Sequence, residues 1–406
     1  MLAQLILPAL AVIGTVSAQS ATCTVTTTTI NSQADATNLA SCRTVKGSVL
    51  IAPGAGPSID ISGPSQITGD LRVENNGVIE SLSSNDLTIL GGAFIMKNVT
   101  RLSSLEMPSF TKVKSIAWQS LNALDTLSIG PPGITQAEDV IISDTFLSSL
   151  TGIDLTSVRL MDINNNRRLT VFTTQLGNLS DNLNIQANGL KLEVTMPNLI
   201  WIANMTIANV TKFSVPSLAV VNGSARFDSN YFATFAAPNL TTTKAGDISF
   251  VGNANLKNIS LPLISTIGGG LLIANNTALS EVDGFPKLKT VGGAVKLRGN
   301  FTNAEFPSLN DVKGAFDVSS TADISTSCDG FKKLAPTKDG GAGQIQGTYA
   351  CTSNNENANQ DTGSGTSGGG SSGGSGGKKD NSAAGVTFNT ALAGLAAFAG
   401  LAATFW

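Results

Sequence analysis

Two short acidic motifs carry residue types that hydrolytic chemistry uses. Asp361-Thr362-Gly363-Ser364 has the form of a motif in which two aspartates share one proton. That chemistry needs a second copy of the motif and apolar strands on both sides, and the sequence offers neither. Glu281-Val282-Asp283 could supply a pair of carboxylates for cleaving a glycosidic bond, but a further glutamate is missing and few aromatic residues lie nearby to bind a sugar. We therefore predict that the protein is not an enzyme and has no catalytic residues.

The composition excludes several further kinds of chemistry. The 406 residues include no histidine, which excludes a Ser-His-Asp triad, a Cys-His pair and a histidine-bound metal. Charged residues make up 13% of the chain, against about 25% in typical soluble proteins. The formal net charge is −3, so the sequence lacks the positive charge that nucleic acid attracts. We predict no metal site, no cofactor and no nucleic-acid partner.

The N-terminal residues have the pattern of a secretory signal. An apolar run over residues 5–16 ends in Val16-Ser17-Ala18, a small-x-small cleavage site. We predict that residues 1–18 are a signal peptide and that the mature chain begins at Gln19.

The C-terminal residues have the pattern of a lipid-anchor signal. Residues 352–380 form a stalk rich in Gly and Ser, which cannot bury enough apolar surface to fold. An apolar tail over residues 391–406 follows, as in signals for glycosylphosphatidylinositol (GPI) attachment. We predict that residues 381–406 are this signal and that Asn381 receives the anchor, with Ser382 and Gly377 as alternatives.

Four cysteines lie in two clusters, one at each end of the central region. Four cysteines in a secreted chain allow three disulfide connectivities, and short loops favour Cys23–Cys42 and Cys328–Cys351. The closely spaced Cys-x-x-Cys pairs of a zinc site are absent.

The central region repeats with a period of about 22 residues. An asparagine, or once an aspartate, follows a short apolar-polar alternation in eleven successive repeats: Asn76, Asn98, Asn122, Asp144, Asn166, Asn188, Asn209, Asn230, Asn253, Asn275 and Asn300. A unit this short cannot hold a ten-residue helix together with a strand and its turns. We predict an all-β, right-handed parallel β-helix over residues 19–351, in which each asparagine points inward and the two disulfides close the ends.

The same register predicts which residues face solvent. Most outward positions are polar, as at Asp162, Asn164 and Asn184. Three neighbouring repeats instead place apolar residues there: Phe94, Met96, Trp118, Val140 and Ile142. Either a loop or the N-terminal cap covers these side chains, or they form a binding patch for a partner protein or a glycan.

Nine Asn-x-Ser/Thr sequons predict a glycoprotein. We expect Asn178, Asn222, Asn239 and Asn258, assigned to connecting loops, to carry glycans. We expect low occupancy at four repeat asparagines that the pattern turns inward, namely Asn98, Asn209, Asn275 and Asn300. Asn204 remains open, because it falls within a strand.

Residues 269–279, with two glycines, alternating apolar residues, an asparagine and a leucine, resemble a repeat of the receptor L-domain, a leucine-rich-repeat-like β-helix. Together with both terminal signals, the cysteine pairs and the stalk, the chain resembles fungal GPI-anchored cell-wall proteins of the extracellular-mutant, or sporulation-specific, family. The resemblance implies two tandem lobes meeting near residues 170–190 and a non-enzymatic role in cell-wall organisation and integrity. It also implies a place on the outer face of the plasma membrane or in the wall, with wall glucan or wall proteins as partners. A glycan- or ligand-binding surface receptor or adhesin is the alternative.

Overall fold

Short runs of alternating apolar and polar residues form strands that stack coil upon coil. The computed structural model describes residues 23–360, in which about 14 turns, ~22 residues apart, build the predicted parallel β-solenoid. The strands in chain order are β1 Thr24–Ile30, β2 Thr44–Ile51, β3 Ser58–Asp60, β4 Gln66–Ile67, β5 Leu71–Glu74, β6 Ser81–Ser83, β7 Ile89–Lys97, β8 Ser104–Glu106, β9 Lys112–Leu121, β10 Asp139–Thr145, β11 Ser157–Asn164, β12 Val171–Thr173, β13 Asn178–Gln186, β14 Glu193–Thr195, β15 Trp201–Ala208, β16 Lys212–Ser214, β17 Val220–Val221, β18 Ala225–Asp228, β19 Thr234–Ala236, β20 Thr242–Thr243, β21 Ile248–Val251, β22 Asn258–Ser260, β23 Thr266–Ile267, β24 Leu271–Ala274, β25 Glu281–Val282, β26 Thr290–Val291, β27 Val295–Gly299, β28 Asn303–Ala304, β29 Asp311–Val312, β30 Phe316–Ser320 and β31 Tyr349–Thr352.

Helical structure in the described part is confined to the two ends. Helix α1 spans Gln33–Thr37 near the first coil, and helix α2 spans Ser325–Lys332 beside the last one. A 3₁₀ turn covers Thr337–Asp339. Within residues 23–360, no helix combines the length and apolar character needed to cross a membrane.

Each coil has three sides. The main side is one large parallel sheet that runs from β1 to β31, for example through β7, β9, β10 and β11. The second side consists of short strands paired in separate small sheets, such as β12, β14 and β16. The third side consists of two-residue strands, such as β17 and β20, or of the first residues of long strands, such as β13 and β15. Outward residues of the main sheet therefore form one continuous surface, which we call the main face.

The main sheet is unbroken where the two lobes were expected to meet. Strand β11 pairs with β13, and β13 pairs with β15, so the hydrogen-bonded ladder continues through residues 170–190. Any two lobes of this chain therefore share a single sheet.

The two predicted disulfides close the ends of the solenoid. Cys23 is bonded to Cys42 beside the first coil, and Cys328 in α2 is bonded to Cys351 in β31. The edge strands of a parallel sheet expose unpaired backbone groups, so a cross-link at each end fixes the last segments against the stack. The end-cap prediction is confirmed.

The folded part extends beyond the predicted boundary at Cys351. Asn355 donates from Nδ2 to Ser319 Oγ at 2.9 Å, and Asn359 donates from Nδ2 to Asn300 Oδ1 at 2.9 Å. Ala358, between them, is 1% exposed. A stalk that begins at residue 352 therefore begins too early, because the chain still packs on the last coils at Asn359.

The interior is a continuous apolar column with aromatic stacks. Phe227 and Phe250 lie in successive coils with their rings stacked 4.7 Å apart, and Phe235 packs 4.4 Å from Phe227. In an earlier pair of coils, Phe94 and Trp118 meet edge to face at 5.6 Å. No single coil could bury such rings alone, so stacking of neighbours supplies the core.

The predicted apolar patch does not exist on the surface. All five of its side chains are at most 1% exposed and form part of the core: Phe94, Met96, Trp118, Val140 and Ile142. The prediction is wrong because the inward position in these coils is occupied by Val99, Leu121 and Thr145, each one residue away from the repeat residue used for counting. A shift of one residue moves every side chain of a strand to the other face.

Two adjacent positions explain this shift. The first has a left-handed backbone, as at Asn75, Asn98 and Asn275, whose φ angles are 53°, 53° and 55°. The second points inward and is buried in ten successive coils: Asn76, Val99, Leu121, Thr145, Asn166, Asn188, Val210, Asn230, Asn253 and Asn276. The inward prediction is confirmed for Asn76, Asn166, Asn188, Asn230 and Asn253. At Asn98, Asp144, Asn209 and Asn275 it is wrong by one residue, because these have the left-handed conformation. It is also wrong by one residue at Asn122 and Asn300, where the buried residues are Leu121 and Phe301.

Candidate functional site

The central coils expose a connected group of short polar side chains on the main face. Parallel register places Ser143 of β10 beside Asn164 of β11, and Asp162 of β11 beside Asn184 of β13. Asn165, at the left-handed corner after β11, completes the group. We call these five residues the amide cluster.

Hydrogen bonds fix the orientation of the amide cluster. Asp162 Oδ1 accepts from Asn164 Nδ2 and from Asn184 Nδ2, each at 2.8 Å. Asn164 Oδ1 accepts from Ser143 Oγ at 2.6 Å and from Asn165 Nδ2 at 2.9 Å. Because these bonds use only part of the capacity of each group, donors and acceptors remain to face solvent from a rigid sheet. Such an array suits a ligand with many hydroxyl groups.

An ion-pair network lies next to the cluster on the same three strands. Arg159, where β11 begins, is bridged by its guanidinium to Asp139 of β10 at 2.9 Å and to Asp181 of β13. All three side chains are partly exposed, so the pairing adds little stability but holds the charges in register.

Asp228 is a carboxyl on the main face whose burial opposes its ionisation. Its paired neighbours are Ala208 and Val251, so apolar groups flank it on both sides. Burial raises the pKa of Asp228, and the nearby Arg226 guanidinium opposes that rise.

Only one of the two acidic motifs lies in the described part of the chain. Glu281 and Asp283 are exposed on either side of the buried Val282, on the second side of the solenoid. The Asp361 motif lies outside the described residues, as do Asn381 and both terminal signals. Within residues 23–360, no three Cys, Asp or Glu side chains are arranged to hold a metal ion.

The four sequons expected to carry glycans are exposed. Asn222 and Asn239 lie in turns, whereas Asn178 and Asn258 are the first residues of β13 and β22. The assignment of all four to connecting loops is therefore wrong for two of them. Exposure is compatible with glycosylation at each, and their occupancy stays a prediction.

The four repeat sequons are not inward amides. Asn98 is exposed and donates to Asn75 Oδ1 at 3.0 Å. Asn209, Asn275 and Asn300 are half-buried. The buried residues are the ones that follow, such as Val99, Val210 and Asn276. Burial of a ladder amide therefore gives no reason for low occupancy at these sites. Asn204, left open, faces outward and accepts from the Ser224 N–H at 3.0 Å.

The sequence pattern identified members of the amide cluster as outward polar residues. It did not reveal the hydrogen bonds that join them across strands. The signal that could have revealed it is the repeat itself, because 22-residue spacing makes Asp162 and Asn184 direct neighbours. The buried Asn276 was also missed, since Asn275 precedes it and fits the same pattern.

Several known proteins are similar to most of this chain. A family model described as "Ecm33: GPI-anchored cell wall organization protein" matches residues 1–40. Protein ecm33 of Aspergillus fumigatus is 37% identical over 89% of this chain and 88% of its own length. A cell surface GPI-anchored protein of Arthroderma benhamiae is 36% identical over 75% of this chain and 78% of its own length. Sporulation-specific protein 2 of Saccharomyces cerevisiae is 33% identical over 70% of this chain and 56% of its own length.

No solved structure matches the chain significantly. The identities and coverage of the sequence relatives are nevertheless high enough to decide the family. The chain belongs to the Ecm33 family of GPI-anchored cell wall organization proteins.

Proposed function

We propose that this protein is a GPI-anchored glycoprotein of the outer cell surface that contributes to the organisation and integrity of the fungal cell wall without catalysing a reaction. The observation that carries the proposal is the relationship to protein ecm33 of Aspergillus fumigatus over 89% of the chain, a share that must include most of the solenoid. In this proposal, residues 1–18 direct secretion and Asn381 accepts the anchor. The Gly/Ser-rich segment that ends at residue 380 holds the solenoid away from the membrane.

The partner in this proposal is a wall polysaccharide such as glucan. The amide cluster supports this choice, because oriented amide and carboxylate groups on a rigid sheet can hydrogen-bond a row of sugar hydroxyls. Repetition along the solenoid also matches the repetition of a polysaccharide chain. Many weak contacts of this kind act together only when the ligand is a polymer.

A specific observation favours the alternative of a surface receptor for a defined glycan. The cluster is local: three neighbouring strands, β10, β11 and β13, supply its hydrogen-bonded members. A receptor of this kind would bind a short oligosaccharide saturably, whereas a wall scaffold would bind only long polymer.

Complementation of a deletion strain separates these outcomes. The cluster variant is Asp162→Ala/Asn164→Ala/Asn184→Ala. The control Glu193→Ala/Thr195→Ala/Lys212→Ala removes two exposed polar side chains and one half-buried one, Thr195, from the second side. We expect the deletion strain to be hypersensitive to wall-binding dyes, the control to restore growth, and the cluster variant to fail at normal surface level.

Binding measurements complete the test. The purified wild type should bind insoluble β-glucan, and the cluster variant should lose most of that binding. Saturable binding of a short oligosaccharide would favour the receptor instead. Normal dye resistance of the deletion strain would contradict the wall-organising function, and full rescue by the cluster variant would contradict the assigned surface.

A further inference from the structure

An apolar strip lies exposed on the third side of the solenoid, where β15 begins. Ile200 is 56% exposed, which is high for a large apolar residue, and Trp201 and Val220 beside it are half-buried. Three apolar side chains that touch solvent together are unfavourable unless something covers them.

The neighbouring coils leave this strip bare because they have almost no side chains there. The Ile200 N–H donates to Gly177 O at 2.9 Å, and the Ala219 N–H donates to Ile200 O at 2.9 Å. Ile200 therefore lies between a glycine and an alanine, and neither can shield it.

A sequon lies directly beside the strip. Asn178 pairs with Trp201 across the β13–β15 ladder, and Trp201 pairs with Val220 on its other side. Asn178 is exposed and begins Asn178-Leu179-Ser180, so its side chain and the indole point to the same face. Neighbouring strands of a sheet lie about 4.8 Å apart, which is less than the length of one sugar ring and its amide linkage.

We propose that the N-glycan of Asn178 folds back over Trp201 and Ile200 and forms the cover of this strip. In the modification, a polyprenyl-pyrophosphate-linked oligosaccharide is the donor. The bond from C1 of its first N-acetylglucosamine to phosphate breaks, and C1 bonds to Asn178 Nδ2, which loses one proton. The lipid pyrophosphate leaves. The C–H face of the attached sugar and its acetyl methyl then pack on the indole.

The direction of the glycan follows from the two sides of Asn178. Its other paired neighbour is Ser157, whose exposed hydroxyl offers no apolar surface. Burying the apolar face of the sugar lowers the free energy only on the Trp201 side, where it meets an apolar surface. The glycan is thus a structural part of the third side.

Asn258 is a matched control site within the same protein. It too is an exposed first residue of a strand and heads an Asn-Ile-Ser sequon. Its paired neighbour is Thr234, so no indole lies beside it in the ladder. A glycan there gains no comparable contact.

The test uses the full-length glycoprotein expressed in a fungal host. Glycopeptide mass spectrometry first reports occupancy at Asn178 and Asn258. Every protein measured carries Trp406→Phe, so the tryptophans left are Trp118 and Trp201. Acrylamide quenching of tryptophan fluorescence then reports access to Trp201, because Trp118 is buried. We expect Asn178→Gln and Ser180→Ala, which remove the same glycan by different changes, to raise the quenching constant. Both should lower the melting temperature by about 2 °C. Asn258→Gln should change neither quantity.

A combined variant separates contact from a general effect of losing a glycan. In a Trp201→Thr background, Asn178→Gln should no longer change the melting temperature, since the glycan has lost its indole partner. If one variant folds poorly, the folded wild type can be treated with an enzyme that removes the whole glycan, including its first sugar. The treated and untreated proteins then give the same comparison. An unoccupied Asn178, or quenching that is equal with and without the glycan, would overturn the proposal.

Discussion

Asn253 shows how one buried side chain joins three coils. Its Nδ2 donates to Phe227 O at 2.8 Å and to Asn276 Oδ1 at 3.0 Å. Its Oδ1 accepts from the Asn230 backbone N–H at 2.9 Å and from Asn230 Nδ2 at 3.0 Å. Every donor of the amide is used inside the core, so the side chain has no substitute there.

Replacing Asn253 with alanine should be strongly destabilising. Asn253→Ala leaves buried groups of the neighbouring coils without partners and opens a cavity. We expect the free energy of unfolding to fall by about 3 kcal/mol. Urea unfolding of the purified protein measures the loss. Asn255→Ala, in the same turn but exposed, should cost less than about 0.5 kcal/mol. Equal losses would show that the inward amide has no special role.

Asp228 should make the protein less stable as the pH rises. Burial raises its folded pKa above the unfolded value of 3.8, so the folded state binds the proton more tightly. Its contribution to stability is therefore most favourable below pH 3.8 and is lost as pH rises through the folded pKa. Asp228→Asn should raise the unfolding free energy at pH 7, with a gain that shrinks toward pH 3.8. Thermal unfolding across that range checks this, and a gain independent of pH would contradict the burial argument.

The sequence alone could not decide which of two adjacent residues in each coil points inward. Asparagine favours both the left-handed corner and the inward ladder, because its short amide tolerates positive φ and can also hydrogen-bond the turn backbone. In Asn75-Asn76 and Asn275-Asn276 both positions are asparagine, so the pattern alone cannot say which one points inward. This ambiguity of one residue misplaced Phe94, Met96, Val140 and Ile142 of the apolar patch. Trp118 was misplaced because Asn122 lies one residue beyond the inward Leu121.

At the scale of elements, glycines allow the coils to stack at the corners before main-sheet strands. Gly246 lies between β20 and β21, and a Cβ there would come within 2.2 Å of the Gly223 carbonyl carbon. The repeated glycines before strands could be read from the sequence. Their reason is close approach of successive backbones, which only the stacked coils reveal.

Gly246→Ala should therefore separate two coils. We expect a loss of about 2–4 kcal/mol in unfolding free energy, since backbone atoms must move apart. Gly330, in α2, has no atom within 4 Å of its missing Cβ. Gly330→Ala should stabilise the protein by about 0.5–1 kcal/mol, because alanine favours a helix. Denaturant midpoints of both variants, measured side by side, should shift in opposite directions; shifts in the same direction would contradict the stacking argument.

At the scale of the whole molecule, the period of the repeat was enough to predict the solenoid. Inward side chains of successive coils stack in register only when the repeat spacing is nearly constant. The constant spacing of about 22 residues therefore predicts a solenoid. The end cross-links also followed from sequence, because each cysteine pair is local. The surface partner did not follow, since it depends on which polar groups meet across strands.

The predicted GPI anchor determines whether the whole molecule stays at the cell surface. Deleting residues 391–406 removes the apolar tail of the attachment signal, so the truncated protein should be released into the culture medium. Immunoblots of medium and cell fractions measure this, with the intact chain as control. Retention of the truncated protein at the surface would contradict the GPI anchor.

The parallel ladder from β1 to β31 also has a mechanical consequence. Hydrogen bonds between coils run along the solenoid axis, and about 14 turns at a spacing of about 4.8 Å make a rod of about 65 Å. A pull between its two ends loads coil interfaces in series, so the weakest interface alone sets the breaking force. Because the cross-links secure the terminal segments, rupture should begin at an interior interface and not by fraying from either tip. A tethered protein built in this way yields to strain in discrete steps of one coil, and so behaves as a shock absorber.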